Sequence, residues 1–241
     1  MLVVKVNGTD YRIKTGWDDL TLKDCTKLSE VINKAPERMQ GYWEAIKAGE
    51  DFEPTEQETI KDFPMFYGKV IGCLSTIPAN ILKQVFWHER TAYYKQILEP
   101  LVFGVKYMPV DFEPEGIKSF KWNKEELHLP SSEVILGIER PMADAQAVEF
   151  TESADLMLAA SNMQNNLAFA ANVVSILCRP KGEAYNERKS LKRAETMDRL
   201  PMNVVWEVFF SLIRHAALSE TITQTFTKVQ QQQQKQAEAV H

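Results

Sequence analysis

The stretch from Ser153 to Leu218 reads SADLMLAASNMQNNLAFAANVVSILCRPKGEAYNERKSLKRAETMDRLPMNVVWEVFFSLIRHAAL. Leu156, Ala160, Met163, Leu167, Ala170, Val174 and Leu177 follow one another at alternating steps of four and three. That spacing sets them on one stripe of a helix, which only a packed partner can bury. In Arg179-Pro180-Lys181-Gly182 the proline removes an amide donor and disfavours helix in the residue before it. Gly182 then lets the chain turn back. The returning helix, Met202 to about Ser219, carries Val205, Phe209, Leu212 and Ala216 on one stripe. Trp206, Phe210, Ile213 and Ala217 form a second stripe beside it. Two adjoining stripes predict a helix buried around most of its circumference, at the centre of the core. The expected fold class is mainly α.

Working outward, two short hairpins supply a minor β component. Leu2 to Val6 and Tyr11 to Lys14 flank Asn7-Gly8, the strongest short-range hairpin signal. Phe120, Trp122, Leu127 and Leu129 alternate around Asn123-Lys124 and predict a second. Between them, Thr21 with Asp24 in the following turn predicts a capped helix showing Leu22, Cys25, Leu28 and Ile32 on one face. Ala35 to Pro54 reads as irregular, with a short helix around Trp43 and Ile46. Thr55-Glu56-Gln57-Glu58 has the capping-box pattern and starts a helix towards Ser75, with a kink or restart at Pro64. Ala79 to about Trp87 and Thr91 to Phe103 are two further helices, and Gly104 closes the block.

A hairpin followed by a helical block, used twice, organises the chain as 1–104 and 105–219, with a glutamine-rich tail over 220–241. Val4-x-Val6-Asn7-x-x-Asp10-Tyr11-x-Ile13 aligns with Phe120-x-Trp122-Asn123-x-x-Glu126-Leu127-x-Leu129, a match of about a dozen residues. Ser132 to about Ala147 reads as one more helix broken at Pro141. The tail holds too little apolar surface to pack and is expected to be disordered or a frayed helix.

With 241 residues, 44% hydrophobic and 25% charged, the chain has the composition of an ordinary globular protein. A net charge of −5 argues against a dedicated nucleic-acid binder. Cys25, Cys73 and Cys178 are far apart and without CxxC spacing, so reduced, buried thiols are expected. The N-terminus lacks the apolar core of a signal peptide. Glu207 and Arg214 interrupt the most apolar run, which is therefore a core helix and not a membrane span.

The usual catalytic arrangements do not emerge. His88, His128, His215 and His241 have no second ligand at helical spacing, and His88-Glu89-Arg90 reads as a polar turn. Gly68-Lys69-Val70-Ile71-Gly72 lacks the spacing of a phosphate loop. No catalytic residue, cofactor or metal is expected. Candidate interaction surfaces are the basic cluster Arg179, Lys181, Arg188, Lys189, Lys192 and Arg193, and Trp17 and Trp43 beside irregular segments. The stripe of Leu156, Met163 and Leu167 is the third.

Two sets of residues carry a resemblance. The first is the hairpin, then Trp17-Asp18-Asp19-Leu20-Thr21-Leu22, and later Ile71-Gly72-Cys73-Leu74-Ser75-Thr76-Ile77-Pro78. The second is Ile176-Leu177-Cys178-Arg179-Pro180-Lys181-Gly182-Glu183-Ala184-Tyr185, then Arg193-Ala194-Glu195 and Leu200-Pro201-Met202. Together they resemble tail-assembly chaperones and related tail-module proteins of tailed bacteriophages, especially those infecting Bacteroidetes. The resemblance covers Tyr11 to about Ser219 and implies a non-enzymatic protein that binds another phage protein, above all the tape measure. It implies action in the host-cell cytoplasm during assembly. A structural component retained in the virion (connector, tail or internal cargo protein) is the alternative, and a small nucleic-acid-binding factor the third. A homo-oligomer is left open.

Overall fold

A computed structural model describes residues 1–109, 112–129, 167–184 and 186–214. Leu156, Ala160 and Met163, the helix expected over 132–147 and the glutamine-rich tail lie outside these residues. The fold is mainly α, with two antiparallel two-stranded sheets. The chain divides into two units. One holds Met1–Glu113 with Asp198–Asn203, and the other the described residues of Pro114–Met197 and those from Val204 onward.

In the first unit β1 (Leu2–Val6) pairs with β2 (Thr9–Ile13), Val4 opposite Tyr11 and Leu2 opposite Ile13. The turn puts Asn7 at φ 50° and Gly8 at φ 80°, the left-handed pair that matches strand twist. Ile13 bridges back to Ser75, with Lys14 N–H donating to Leu74 O at 2.8 Å and Thr76 N–H to Arg12 O at 2.9 Å. A 3-10 turn at Trp17–Asp19 leads into α1 (Leu22–Asn33). Thr21 Oγ1 accepts from Asp24 N–H at 3.3 Å while Asp24 accepts from Thr21 N–H at 2.9 Å, so two exposed donors are satisfied reciprocally. Leu22, Cys25, Leu28 and Ile32 are all buried, as their spacing requires.

The short helix expected around Trp43 and Ile46 is longer than that reading, a 12-residue helix, α2 (Glu37–Ala48), begun at Pro36 and ended by Gly49 at φ 72°. Thr55 and Glu58 make the anticipated capping box. A π-helical turn, Glu58–Asp62, then runs without a break into α3 (Phe63–Leu74) and places Pro64 as its second residue. Helix α4 is a single turn (Ala79–Leu82), and α5 (Trp87–Tyr93) passes through a π-helical turn into α6 (Glu99–Tyr107). Gly104 therefore lies inside a helix and does not close the block. Its bare Cα admits the Trp17 indole: a Cβ there would stand 2.4 Å from Cζ2.

The core of this unit is aromatic. Tyr67 and Tyr94 stack with centroids 4.0 Å apart, Trp43 meets Phe66 edge-on at 5.4 Å, and Trp43 Nε1 donates to Tyr94 Oη at 3.1 Å. Burial raises the Tyr94 phenol well above its ordinary pKa. Leu200 and Met202 belong here: Leu22 N–H donates to Leu200 O at 2.9 Å and Met202 N–H to Leu20 O at 2.8 Å, around a Thr21–Pro201 bridge.

In the second unit β3 (Ser119–Trp122) pairs with β4 (Glu125–His128). Its turn has Asn123 at φ 46° and Lys124 at φ 69°, the same geometry with lysine where the first hairpin has glycine. His128 exchanges backbone bonds with Arg179, just after α7 (Leu167–Leu177), much as the first hairpin bonds the chain just after α3. Gly182, at φ 79°, turns the chain as expected. Asn186 caps α8 (Glu187–Ala194), accepting from Lys189 N–H at 3.0 Å. The last described helix, α9 (202–214), belongs to this unit from Val204 onward and there buries Val205 and Trp206, Val208 and Phe209, and Leu212. The stripe of Val205, Phe209 and Leu212 is thus buried, while Phe210 and Ile213 of the second stripe are half-buried; Ala216 and Ala217 lie outside the described residues. Buried Glu207 accepts from the backbone amides of Glu115 and Gly116, so both oxygens of its carboxyl group are held by donors.

Candidate functional site

Helix α3 exposes a groove in the first unit. Gly68 and Gly72 stand one turn apart on it; the Arg90 side chain covers Gly68, and Gly72 is exposed. Val31 of α1 flanks one side of these glycines, and Ile77 and Leu82 flank the other. The hollow is about 570 Å³, within the size of ordinary binding clefts. A Cβ on Gly72 would meet Leu82 Cδ2 at 3.5 Å, and one on Gly68 would meet Arg90 Cδ and Nη1 at 3.6 Å, ordinary contact in both cases.

Lys69, Lys83 and Arg90 rim the groove, and no carboxylate is among its lining residues. Arg90 is fixed: Nε donates to Val85 O at 2.9 Å and Nη2 to Lys83 O at 3.0 Å. Among the described residues no carboxylate lies within ion-pair distance of these three cations. The Cys73 thiol, half-buried at the α1 side, is pushed up by burial; Lys27 opposes the shift while Glu30 and Asp24 add to it. That side carries charges of both signs, and the other is cationic.

The α4–α5 corner that supplies Lys83 and Arg90 also exposes Phe86 and Trp87, at 67% and 43%. Glu89 accepts from Phe86 N–H at 3.2 Å and holds the corner. Met65, 55% exposed, and Lys69 form a ridge between the groove and a second hollow of about 350 Å³. There Arg38 Nε donates to Glu58 Oε1 at 2.6 Å. Arg38 and the Thr55 amide hold the Glu58 carboxyl down at about 2. This is a structural ion pair. Among the described residues no group of three or more His, Cys, Asp or Glu could hold a metal ion.

The residues singled out in the sequence do not converge here. Trp43 is fully buried and bonded to Tyr94, which corrects its place as an interface candidate: its indole N–H found a core partner. Trp17 is half-buried against Gly104. Leu167 is buried, so this member of the stripe is core and not surface. Leu156 and Met163 lie outside the described residues. Of the basic cluster, Lys181, Arg188, Lys189 and Lys192 are exposed, and Arg179 is half-buried beside its bridge to His128. Arg193 is also corrected. Its side chain, 8% exposed, pairs with Glu183 at 2.9 Å and Glu125 at 3.5 Å, an internal clamp. Glu183 is desolvated by burial, yet Arg193 and Lys189 keep its carboxyl below the usual range.

Four residues of the stretches on which the sequence expectation rests have a structural part. Ser75, Thr21, Pro201 and Arg179 all sit at the isolated bridges that tie segments of each unit together. The groove was missed in the sequence because Gly68 and Gly72 were weighed only as a phosphate loop. Two glycines four apart on an apolar helix were the available signal. No family of known proteins matches the chain, and neither curated proteins nor solved structures give a match.

Proposed function

We propose that this chain is a non-enzymatic phage assembly protein that works by binding another protein, in the manner of a tail-assembly chaperone holding a helical, tape-measure-like client. The observation that supports this reading is the open groove on α3, with exposed Phe86 and Trp87 at its corner. Large exposed aromatics on a rigid corner are the usual anchors of protein interfaces. An apolar groove between helices is the usual receptor for the apolar face of a client helix. A chaperone of this kind covers apolar client surface until the tail tube replaces it, so it acts in the host-cell cytoplasm and leaves before the particle is complete.

Mass spectrometry of purified particles and of the cells producing them tests this. The expected result is a protein abundant in the cells, absent from the particles and co-purified with the tape measure. Presence in particles at a fixed ratio to the major capsid protein would overturn the chaperone reading in favour of a structural virion component.

A further inference from the structure

We infer that the groove on α3 receives an amphipathic helix of a partner protein whose flanks are acidic; this deepens, and rests on, the protein-binding reading above. The floor selects a helix. Exposed Gly72 leaves a short lane on α3, closed at Gly68 by the Arg90 side chain, that admits apolar side chains of one helical ridge, and Val31, Ile77 and Leu82 wall it. Nucleic acid presents no such ridge.

The rim selects the charge. Lys69, Lys83 and Arg90 present three cations to the groove without a carboxylate in ion-pair distance among the described residues. Acidic side chains on the guest helix would complete these pairs, and basic ones would be repelled. The α1 side, where Lys27, Glu30 and Asp24 all act on Cys73, offers no such bias. The guest therefore lies with its more acidic flank towards the α4–α5 corner, where Phe86 and Trp87 extend the contact.

The test uses the full chain and two fluorescent peptides of about 18 residues, long enough for five helical turns. Both carry leucines on one face; one has glutamates on its flanks and the other lysines. Fluorescence anisotropy should show the glutamate peptide binding at least about tenfold more tightly, a difference of about one decade in Kd. Raising the salt from about 0.05 to about 0.5 M should weaken it by screening. Gly72→Leu, whose side chain would fill the lane, should abolish this binding while the circular dichroism spectrum stays unchanged. Lys69→Glu with Lys83→Glu, both at exposed positions, should reverse the preference even if Gly72→Leu fails to fold.

Equal affinity for the two peptides, or unimpaired binding by the folded Gly72→Leu variant, would overturn the inference. So would a dimer in sedimentation that Gly72→Leu dissolves, with neither peptide bound, because the groove then belongs to a second copy. The two readings fail separately. A tape measure captured equally by wild type and Gly72→Leu keeps the assembly reading and removes the groove. Glutamate-peptide binding lost in Gly72→Leu, with no phage protein captured, keeps the groove and removes the assembly reading.

Discussion

Trp17 and Gly104 meet so closely that the smallest added side chain changes the sign of a substitution. Gly104→Ala would normally favour a helix by up to about 1 kcal/mol, but its Cβ would stand 2.4 Å from Trp17 Cζ2. Urea denaturation should show a loss of about 1–3 kcal/mol from overpacking. Trp17→Leu in the same chain should recover part of it, an interaction only contacting residues show. Glu58 makes a different prediction. Its hydrogen bond from Arg38, then that from the Thr55 amide, lowers its pKa from 4.5 to about 2. A folded pKa below the unfolded one adds stability that is fully present above about pH 4.5 and lost as the pH falls towards 2. Thermal melts of wild type and Glu58→Gln should therefore differ most at neutral pH and converge below pH 4. A gap that widens in acid would contradict the ion-pair account. Residue identity made both caps legible in advance, because Thr21–Asp24 and Thr55–Glu58 are local pairs. It could not reveal Arg38 as the partner of Glu58, twenty residues away.

At the scale of elements, the two hairpins share a turn geometry but not a turn sequence. Asn7-Gly8 places glycine where φ is 80°, whereas Asn123-Lys124 forces a lysine to φ 69°. Left-handed backbone costs an ordinary residue about 1 kcal/mol or more, so Lys124→Gly should stabilise the second unit by about 1 kcal/mol. A loss of stability on chemical denaturation would show that the lysine side chain makes a contact worth more than the strain. The hairpins and α1, α7 and α9 could be read from periodicity because their faces are cleanly apolar. Helix α2 is longer than the short helix that Trp43 and Ile46 suggest, because Met39, Tyr42 and Trp43 bury one side of it and hold it past Gly41. The expected stop at Gly104 failed for a related reason. Glycine is a helix breaker in isolation, but here its lack of a side chain is what lets Trp17 pack.

At the scale of the molecule, a net charge of −5 and a groove rimmed by three cations point in opposite directions. A uniformly acidic surface would repel an acidic client; a local cationic rim gives it one place to dock. This feature was illegible in the sequence because Val31, Lys69, Lys83 and Arg90 are brought together only by folding. The basic cluster from Arg179 to Arg193 was conspicuous in sequence, yet Arg193 there closes an internal ion pair. Among the described residues no helix is long and apolar enough to cross a membrane. The most direct test of the groove as the working surface is site-specific photocrosslinking from Met65, on its ridge, in cells producing the particles that the proposed assembly role requires. The account predicts a crosslink to an acidic amphipathic helix of a tail protein, mapped by mass spectrometry and lost in Gly72→Leu. Crosslinks only to a second copy of the chain, or to segments that persist when the groove is filled, would contradict it.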